Sequence, residues 1–385
     1  MVLVDGARTP HGTLLGGLAD VEAVSLARTA IDGLLERIDV DGETVDWVSL
    51  GNAIQAGIGQ VPGRQAVVES ALPNGTPATT VNEASGSGLR AITLATDRIA
   101  AGREAFAVAG GFESMTNAPW ILPEYRKGRR HGDVTLTDSM ILDSLWDVNL
   151  DVHMGEITEG LVDREGVSRE AQDRYALESH RRAAEAIDAG AYDPELVPVE
   201  TPDGTVDRDE GPRPDSTFDD LAELPASFRD DGTITAANAS KLSDGAGVVL
   251  LADAEAAADR GLEPMATVAD YDLVYRNPDE FNEAVGDVVE GLLERNDLAV
   301  DDVGAFWLNE AFAAQSVYVM DRLDIPREKL NPRGGAIAYG HPIGASGGML
   351  ATSLAYQLHD EGLERGLVGM SVGGGGAIVA LLERR

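Results

Sequence analysis

Six stretches of the chain place reactive side chains where backbone geometry could aim them. The first is TVNEASGSGLRAI, Thr80 to Ile92. A β-leaning segment runs into a small-residue turn, and an amphipathic helix pattern follows. A serine at such a turn projects clear of the sheet, and free N–H groups with partial positive charge converge on the same spot. Ser85 and Ser87 are both candidate nucleophiles, and a capped turn with serine as N-cap is the competing reading. The second stretch, NPRGGAIAYGHPIGASG (Asn331 to Gly347), embeds His341 in glycines, with Pro342 fixing the backbone after it. Histidine is the usual general base near neutral pH, and a glycine setting leaves little room for a purely structural ring. In WLNEAFAAQ, Asn309 and Glu310 stand at a strand end, where an amide can hold a water or polarise a carbonyl, or only cap a helix. SVGGGGAI, with Ser371 and Gly373, offers bare N–H groups of the kind that cradle an oxyanion. DVHMGEITEG carries His153 and Met154. RKGRRHG (Arg126 to Gly132) is a cationic island that suits phosphates or is a solvated loop. The glycine patterns match neither a dinucleotide fingerprint nor a phosphate-binding P-loop, and no metal-ligand spacing occurs.

The elements around these stretches follow from hydrophobic patterning. DWVSLGNAI (Asp46 to Ile54) and AFAVAGG (Ala105 to Gly111) read as buried strands. Leu89, Ile92, Ala95 and Ile99 recur at helical spacing. GAFWLNEAFAAQSVYVM reads as strand, tight turn and helix, and GLVGMSVGGGGAIVALLE as two strands about a glycine turn. Strands interleaved with helices predict an α/β fold. From about Asn117 to Lys241 the chain is polar and turn-rich, with one clear helix in SREAQDRYALESHRRAAEAIDAG, N-capped by Ser168 and ended by Gly190. An insertion of this size commonly forms a lid or substrate platform. Glycine-rich turns beside strands in both end regions hint at two related halves.

Bulk properties narrow the classes. At 385 residues the chain can hold two sizeable cores. Thirty basic residues face sixty-six acidic ones, a net charge of −36, and only Lys127, Lys241 and Lys329 are lysines. The acids run the whole length of the chain, which fits a surface adapted to concentrated salt rather than an acidic tail. The same field disfavours nucleic acid and anionic membranes as partners. There is no cysteine, hence no disulfide or thiolate chemistry. No apolar run is long enough to span a bilayer, and the N-terminal segment lacks the pattern of a signal peptide, so a cytoplasmic location is expected.

Taken together, DGARTPHGTLLGGL, GGFESMTNAPW, VHMG, TAANAS, NEAFAAQ, GGAIAYGHPIGASG and SVGGGG resemble the thiolase family, which makes or cleaves 3-ketoacyl-CoA, over nearly the whole chain. The resemblance implies a five-layered α/β/α/β/α core of two similar halves: residues 1–116 completed by about 243–262, and residues 263–385. Residues 117–242 would form an inserted loop domain over the coenzyme A site. It also implies roles. Ser85 stands where the family carries its nucleophilic cysteine, and Ser371 where it carries a second, proton-transferring cysteine. His341 matches the activating histidine and Asn309 its partner in one oxyanion hole. The N–H groups of Ser85 and Gly373 match the other hole. His153, Met154, Ala311 and Phe312 match the acyl-pocket lining, and Leu145, Arg213, Ala236, Ser240 and Leu242 match positions near coenzyme A.

Both serines are departures from the family. A hydroxyl needs its base during the attack itself, and it yields an oxygen ester, less electrophilic than a thioester. The reading is an acyltransferase that joins two acyl-CoA, such as two acetyl-CoA to acetoacetyl-CoA and CoA, through acyl-Ser85. His341 is the base, and His153 or His341 makes the second proton transfer. An acyl-CoA hydrolase and a non-catalytic CoA-binding scaffold are the alternatives. YDLVYRNPDEFNEA (Tyr271 to Ala284) replaces a glycine- and proline-rich turn common in the family and leaves acyl-chain preference open. The expected partners are acyl-CoA and CoA, in a homodimer or homotetramer with room for an accessory subunit. No metal, and no cofactor beyond coenzyme A, is implied.

Overall fold

The computed structural model describes residues 1–385. The first half contains strand β1 (Val2–Arg8), helix α1 (Ala23–Arg37), β2 (Trp47–Gly51), β3 (Ala78–Val81), α2 (Ser87–Ala100) and β4 (Phe106–Ser114). An insertion follows, with helices α3 (Met154–Glu165) and α4 (Arg169–Asp188), and the chain returns as β5 (Ser243–Ala252). The second half contains β6 (Ala266–Tyr275), α5 (Phe281–Arg295), β7 (Ala305–Leu308), α6 (Ala313–Leu323), α7 (Ser346–Asp360), β8 (Arg365–Val372) and β9 (Gly376–Arg384).

The strand order across the sheet is β7-β8-β9-β6-β1-β5-β4-β2-β3. From its outer edge inward, the first half runs β3-β2-β4-β5-β1. The second half runs β7-β8-β9-β6, with Leu330 bridging Phe306 where an outer strand would lie. Directions repeat as well: β2 lies parallel to β3 and β4 as β7 does to β8, while β5 and β9 are antiparallel to both neighbours. The two halves meet where Val2 and Leu3 of β1 pair with Thr267 and Ala266 of β6.

Alternation along the strands builds the layers. In β5, Val248 and Leu250 face a core shared with Leu26, Ile31 and Leu34 of α1. Val249 and Leu251 face the opposite core, shared with Leu89 and Ile92 of α2 and Leu350 and Leu354 of α7. In β8, Val368 and Met370 join that central core, while Leu367 packs with Val285, Val288 and Val289 of α5. Side chains on successive strand residues point to opposite faces, so a strand covered on both sides is an unbroken apolar run. Helix α1, the first half's part of the sheet, the α2/α7 pair, the second half's part of the sheet and helix α5 make the five layers.

The central pair approaches closely enough to set the site. A Cβ on Gly347 would lie 2.1 Å from the Leu89 nitrogen, and one on Gly88 would lie 2.9 Å from the Gly344 oxygen. Only glycine permits this contact, which brings the turns before α2 and α7 together.

The insertion holds more helix than its text suggests. Arg169–Asp188 forms as expected, with the Ser168 side chain accepting from the Ala171 N–H. Met154–Glu165 is a second helix that the polar, glycine-containing stretch did not predict; its cap is the ring of His153, and Met154, Ile157 and Leu161 are buried on its inner face. The cationic stretch Arg126 to Gly132 is exposed. No helix is long and apolar enough to cross a membrane.

Candidate active site

The turn before α2 separates its two serines. Ser87 Oγ accepts from the Glu83 N–H at 2.9 Å and donates to the Ala84 carbonyl at 2.6 Å. It fastens the turn and has no proton to spare. Gly86 occupies the cap position of α2, with no side-chain cap. Ala84 holds φ at 46°, a left-handed conformation uncommon for a residue with a Cβ and one that clusters at functional sites. Ser85 is left as the free, half-buried hydroxyl, with its Oγ 2.9 Å from His341 Nε2.

His341 is 4% exposed, and its tautomer follows from its neighbours. Ser346 Oγ donates to the Pro342 carbonyl at 3.1 Å, so toward the ring it can only accept. His341 Nδ1 lies 2.5 Å from that oxygen and therefore carries the proton. Nε2 is then a bare lone pair facing Ser85, the form a general base requires. The Asn309 amide approaches the same nitrogen at 3.3 Å. Burial, reinforced by the nearby His11, brings the imidazole down to about 3, so it stays neutral at any ordinary pH. Ser346 is the residue the sequence reading missed. Its signal was its place five residues after His341, in the same glycine-rich stretch.

Two buried carboxylates hold the frame. Glu310, next to Asn309 at the end of β7, accepts from Tyr175 at 2.9 Å, Ser179 at 2.7 Å, Asn331 at 3.1 Å and the Ile337 N–H at 3.1 Å. It ties the loop before His341 to α4. Glu113 accepts from Asn52 at 2.7 Å and from the Ala53 and Gly344 N–H groups at 2.9 Å each, fixing the loop after His341 against β4. Burial pushes the Glu113 carboxyl up to about 7. Every partner of Glu113 is a donor, so Glu113→Gln sets an amide NH2 against at least one of them. The expected cost is about 1–3 kcal/mol, read as a lower thermal midpoint at high salt.

Ser371 is buried on β8, ahead of the turn in which Gly374 and Gly375 hold φ at 81° and 95°. A Cβ on Gly373 would sit 3.5 Å from that of Ala84, so this turn abuts the Ser85 loop. The N–H groups of Ser85 and Gly373 donate to no protein acceptor.

Beside His341 opens a cavity of about 580 Å³, lined also by His153, Phe228, Leu145, Arg213, Ala236, Ser240, Lys241, Leu242 and Phe312. Six of the positions expected to contact acyl-CoA beyond the histidines thus line one space. Met154 and Ala311 do not line it: they pack behind Phe312 with Ile157, Ile234 and Phe281. Ser85, Asn309, Ser371 and Gly373 also lie outside its lining, with His341 as the link. None of Arg126 to Gly132 borders it.

His153 is corrected by its geometry. Its Nδ1 accepts from the Gly155 N–H at 3.0 Å, which places the ring proton on Nε2. With one nitrogen engaged and the other protonated, His153 can donate a hydrogen bond but has no lone pair for a substrate proton. Its ring stacks on Phe228 at 4.7 Å. Phe228 lies so close to α3 that a Cβ on Gly155 would meet it at 2.3 Å.

A thiolase N-terminal domain model matches residues 1–255, and a thiolase C-terminal domain model matches residues 262–384. The chain belongs to the thiolase family. It is 41% identical to a probable acetyl-CoA acyltransferase of Staphylococcus epidermidis, over 100% of this chain and 98% of that one. It is 40% identical to a probable acetyl-CoA acyltransferase of Staphylococcus aureus, covering 100% and 99%. A crystal structure of the Bacillus anthracis acetyl-CoA acetyltransferase superposes with a TM-score of 0.96 at 34% identity, covering 100% of this chain and 98% of that one. This thiolase is an acyl-CoA acyltransferase with the thiolase fold.

Proposed function

We propose that this thiolase condenses two short acyl-CoA molecules, such as two acetyl-CoA to acetoacetyl-CoA and CoA, through an ester on Ser85. The 2.9 Å contact between Ser85 Oγ and the unprotonated His341 Nε2 carries this reading. As Oγ attacks the thioester carbonyl, Nε2 takes its proton and the N–H groups of Ser85 and Gly373 receive the oxyanion. The imidazolium then protonates the departing CoA sulfur and is neutral again. The second acyl-CoA places its thioester oxygen toward Asn309. His341 removes its α-proton, Ser371 serving at most as a relay; the carbanion attacks the ester carbonyl, and the imidazolium returns the proton to Ser85 Oγ as it leaves. The packed floor of Met154, Ile157, Ile234, Phe281 and Phe312 supports a short acyl group.

Serine at position 371 favours one second reading, hydrolysis of acyl-Ser85, because a hydroxyl is a poor base for an α-proton. Intact mass after mixing with acetyl-CoA in molar KCl tests both. An acetyl adduct that maps to Ser85, with acetoacetyl-CoA in the same tube, is the expected result. An adduct with free CoA and acetate alone would establish the hydrolase. No adduct, with CoA still bound, would leave a scaffold.

We also infer adaptation to high salt, a cytoplasmic setting, and assembly as a homodimer or homotetramer, with no cofactor beyond coenzyme A. At −36 the surface repels itself across a Debye length of about 10 Å in 0.1 M salt, which shrinks to about 3 Å at 1 M. The thermal midpoint is therefore expected to rise steeply between those two KCl concentrations. A midpoint that stays flat or falls counts against the salt reading.

A further inference from the structure

The chain has sixty-six acidic residues, yet none of them lines the cavity beside His341. Its only charged lining residues are Arg213, exposed at the mouth, and the half-buried Lys241. Lys241 Nζ donates to two backbone carbonyls, those of Gly211 and Ala338, the latter at 2.9 Å. A neutral amine has two N–H bonds, the number these carbonyls take. A third N–H, gained on protonation, has no protein acceptor.

The groups around Lys241 are all neutral or cationic. Arg213 comes from the segment after Gly211. His180 comes from α4, its Nδ1 accepting the Arg213 N–H at 3.0 Å. Burial, with the charges of Lys241 and Arg213 behind it, brings His180 down to about 3. Tyr339 and His341 come from the loop that closes the far side. The carboxylates close by in sequence are engaged elsewhere: Asp244 with Ser114 and Thr116, Asp209 with Arg8 and His11, and Glu210 with the Thr13 and Gly17 N–H groups. Burial, and then Arg213, lowers the Lys241 ammonium to about 7. A site built this way has a positive field, one spare donor and no counter-ion, and what completes it is an anion.

We propose that Lys241 and Arg213 together receive an anionic group of the ligand, a phosphate or a carboxylate, and that Lys241 takes up a proton from solvent as the anion binds. This rests on the reading that the ligand is an acyl-CoA. The anion lies on the phosphopantetheine side of that ligand or at the end of a dicarboxylic acyl group. An opposite charge within contact distance restores the ammonium, so binding and protonation are linked. Lys241 holds the ligand and does not touch the reacting atoms.

The test is calorimetry of the whole protein in molar KCl near pH 8, in buffers of low and high ionisation enthalpy. The probes are coenzyme A, pantetheine, and pantetheine bearing a succinyl thioester. Uptake of about one proton with coenzyme A and none with pantetheine is expected if phosphate is the anion. Uptake with the succinyl probe assigns the site to a carboxylate. Lys241→Met should bind more weakly and without uptake. Lys241→Arg keeps the charge and cannot titrate. Its affinity should stay level from pH 6.5 to 8.5, where that of the parent falls up to roughly tenfold per unit. Binding of both coenzyme A and the succinyl probe without proton uptake, or uptake that survives in Lys241→Arg, overturns the proposal while leaving the acyl-CoA reading intact. Failure of coenzyme A to bind at all removes both.

Discussion

Ser85→Ala is expected to lower acyl transfer by roughly four to six orders of magnitude, with His341→Ala costing about the same and the double variant no more than either. A nucleophile and its base act as one unit: the hydroxyl is unreactive without a proton acceptor, and the acceptor has no task without the hydroxyl. Folding is not the cause in Ser85→Ala. Its side chain is half-buried on a turn that Ser87 fastens, so stability should hold within about 0.5 kcal/mol. Because His341 is held near 3 by burial, acylation at saturating acetyl-CoA should show no inflection near pH 6.5, where a free imidazole titrates. Single-turnover acylation followed by mass gives both readouts. A Ser85→Ala protein that keeps a tenth of the rate, or loses that are additive across the two sites, would place the nucleophile elsewhere.

Ser85→Cys is expected to raise condensation at least tenfold, equivalent to about 1.4 kcal/mol of barrier. The gain belongs to the second half-reaction. An oxygen ester is stabilised by resonance that a thioester largely lacks, so a carbanion meets a more electrophilic carbonyl on sulfur. Water gains much less from the exchange, and the ratio of acetoacetyl-CoA to acetate should rise with the rate. The larger sulfur fits, because Ser85 is not enclosed in the core. Acylation should persist across neutral pH, since a thiol ionises far more readily than a hydroxyl. A fall in condensation would mean that carbanion attack does not limit the native reaction and that the site is shaped around the hydroxyl.

The sequence by itself determined several of the strands and helices of the two halves. Trp47–Gly51 and Ala305–Leu308 fall inside the stretches whose apolar runs announced them, and Phe106–Ser114 and the β8–β9 hairpin run one to three residues past theirs, because a strand covered on both faces has no polar side to blur its pattern. It also determined the candidate residues, since a histidine or serine among glycines stands out in type alone. It did not separate Ser85 from Ser87. That needed the Glu83 and Ala84 backbone groups folded back onto Ser87. Met154–Glu165 stayed hidden because its cap is a histidine ring and its buried face is completed by Ile234 and Phe312 from distant segments. The tautomer of His341 depends on Ser346, and the exclusion of His153 as a base depends on one amide of α3. Above all, Ser85 and His341 stand 256 residues apart. Only the close crossing of α2 and α7, through glycines that leave no room for a Cβ, brings that hydroxyl to that nitrogen. Pattern in one dimension reports what each residue is and which face it turns; hydrogen-bond partners and protonation are set by what the folded chain packs against them.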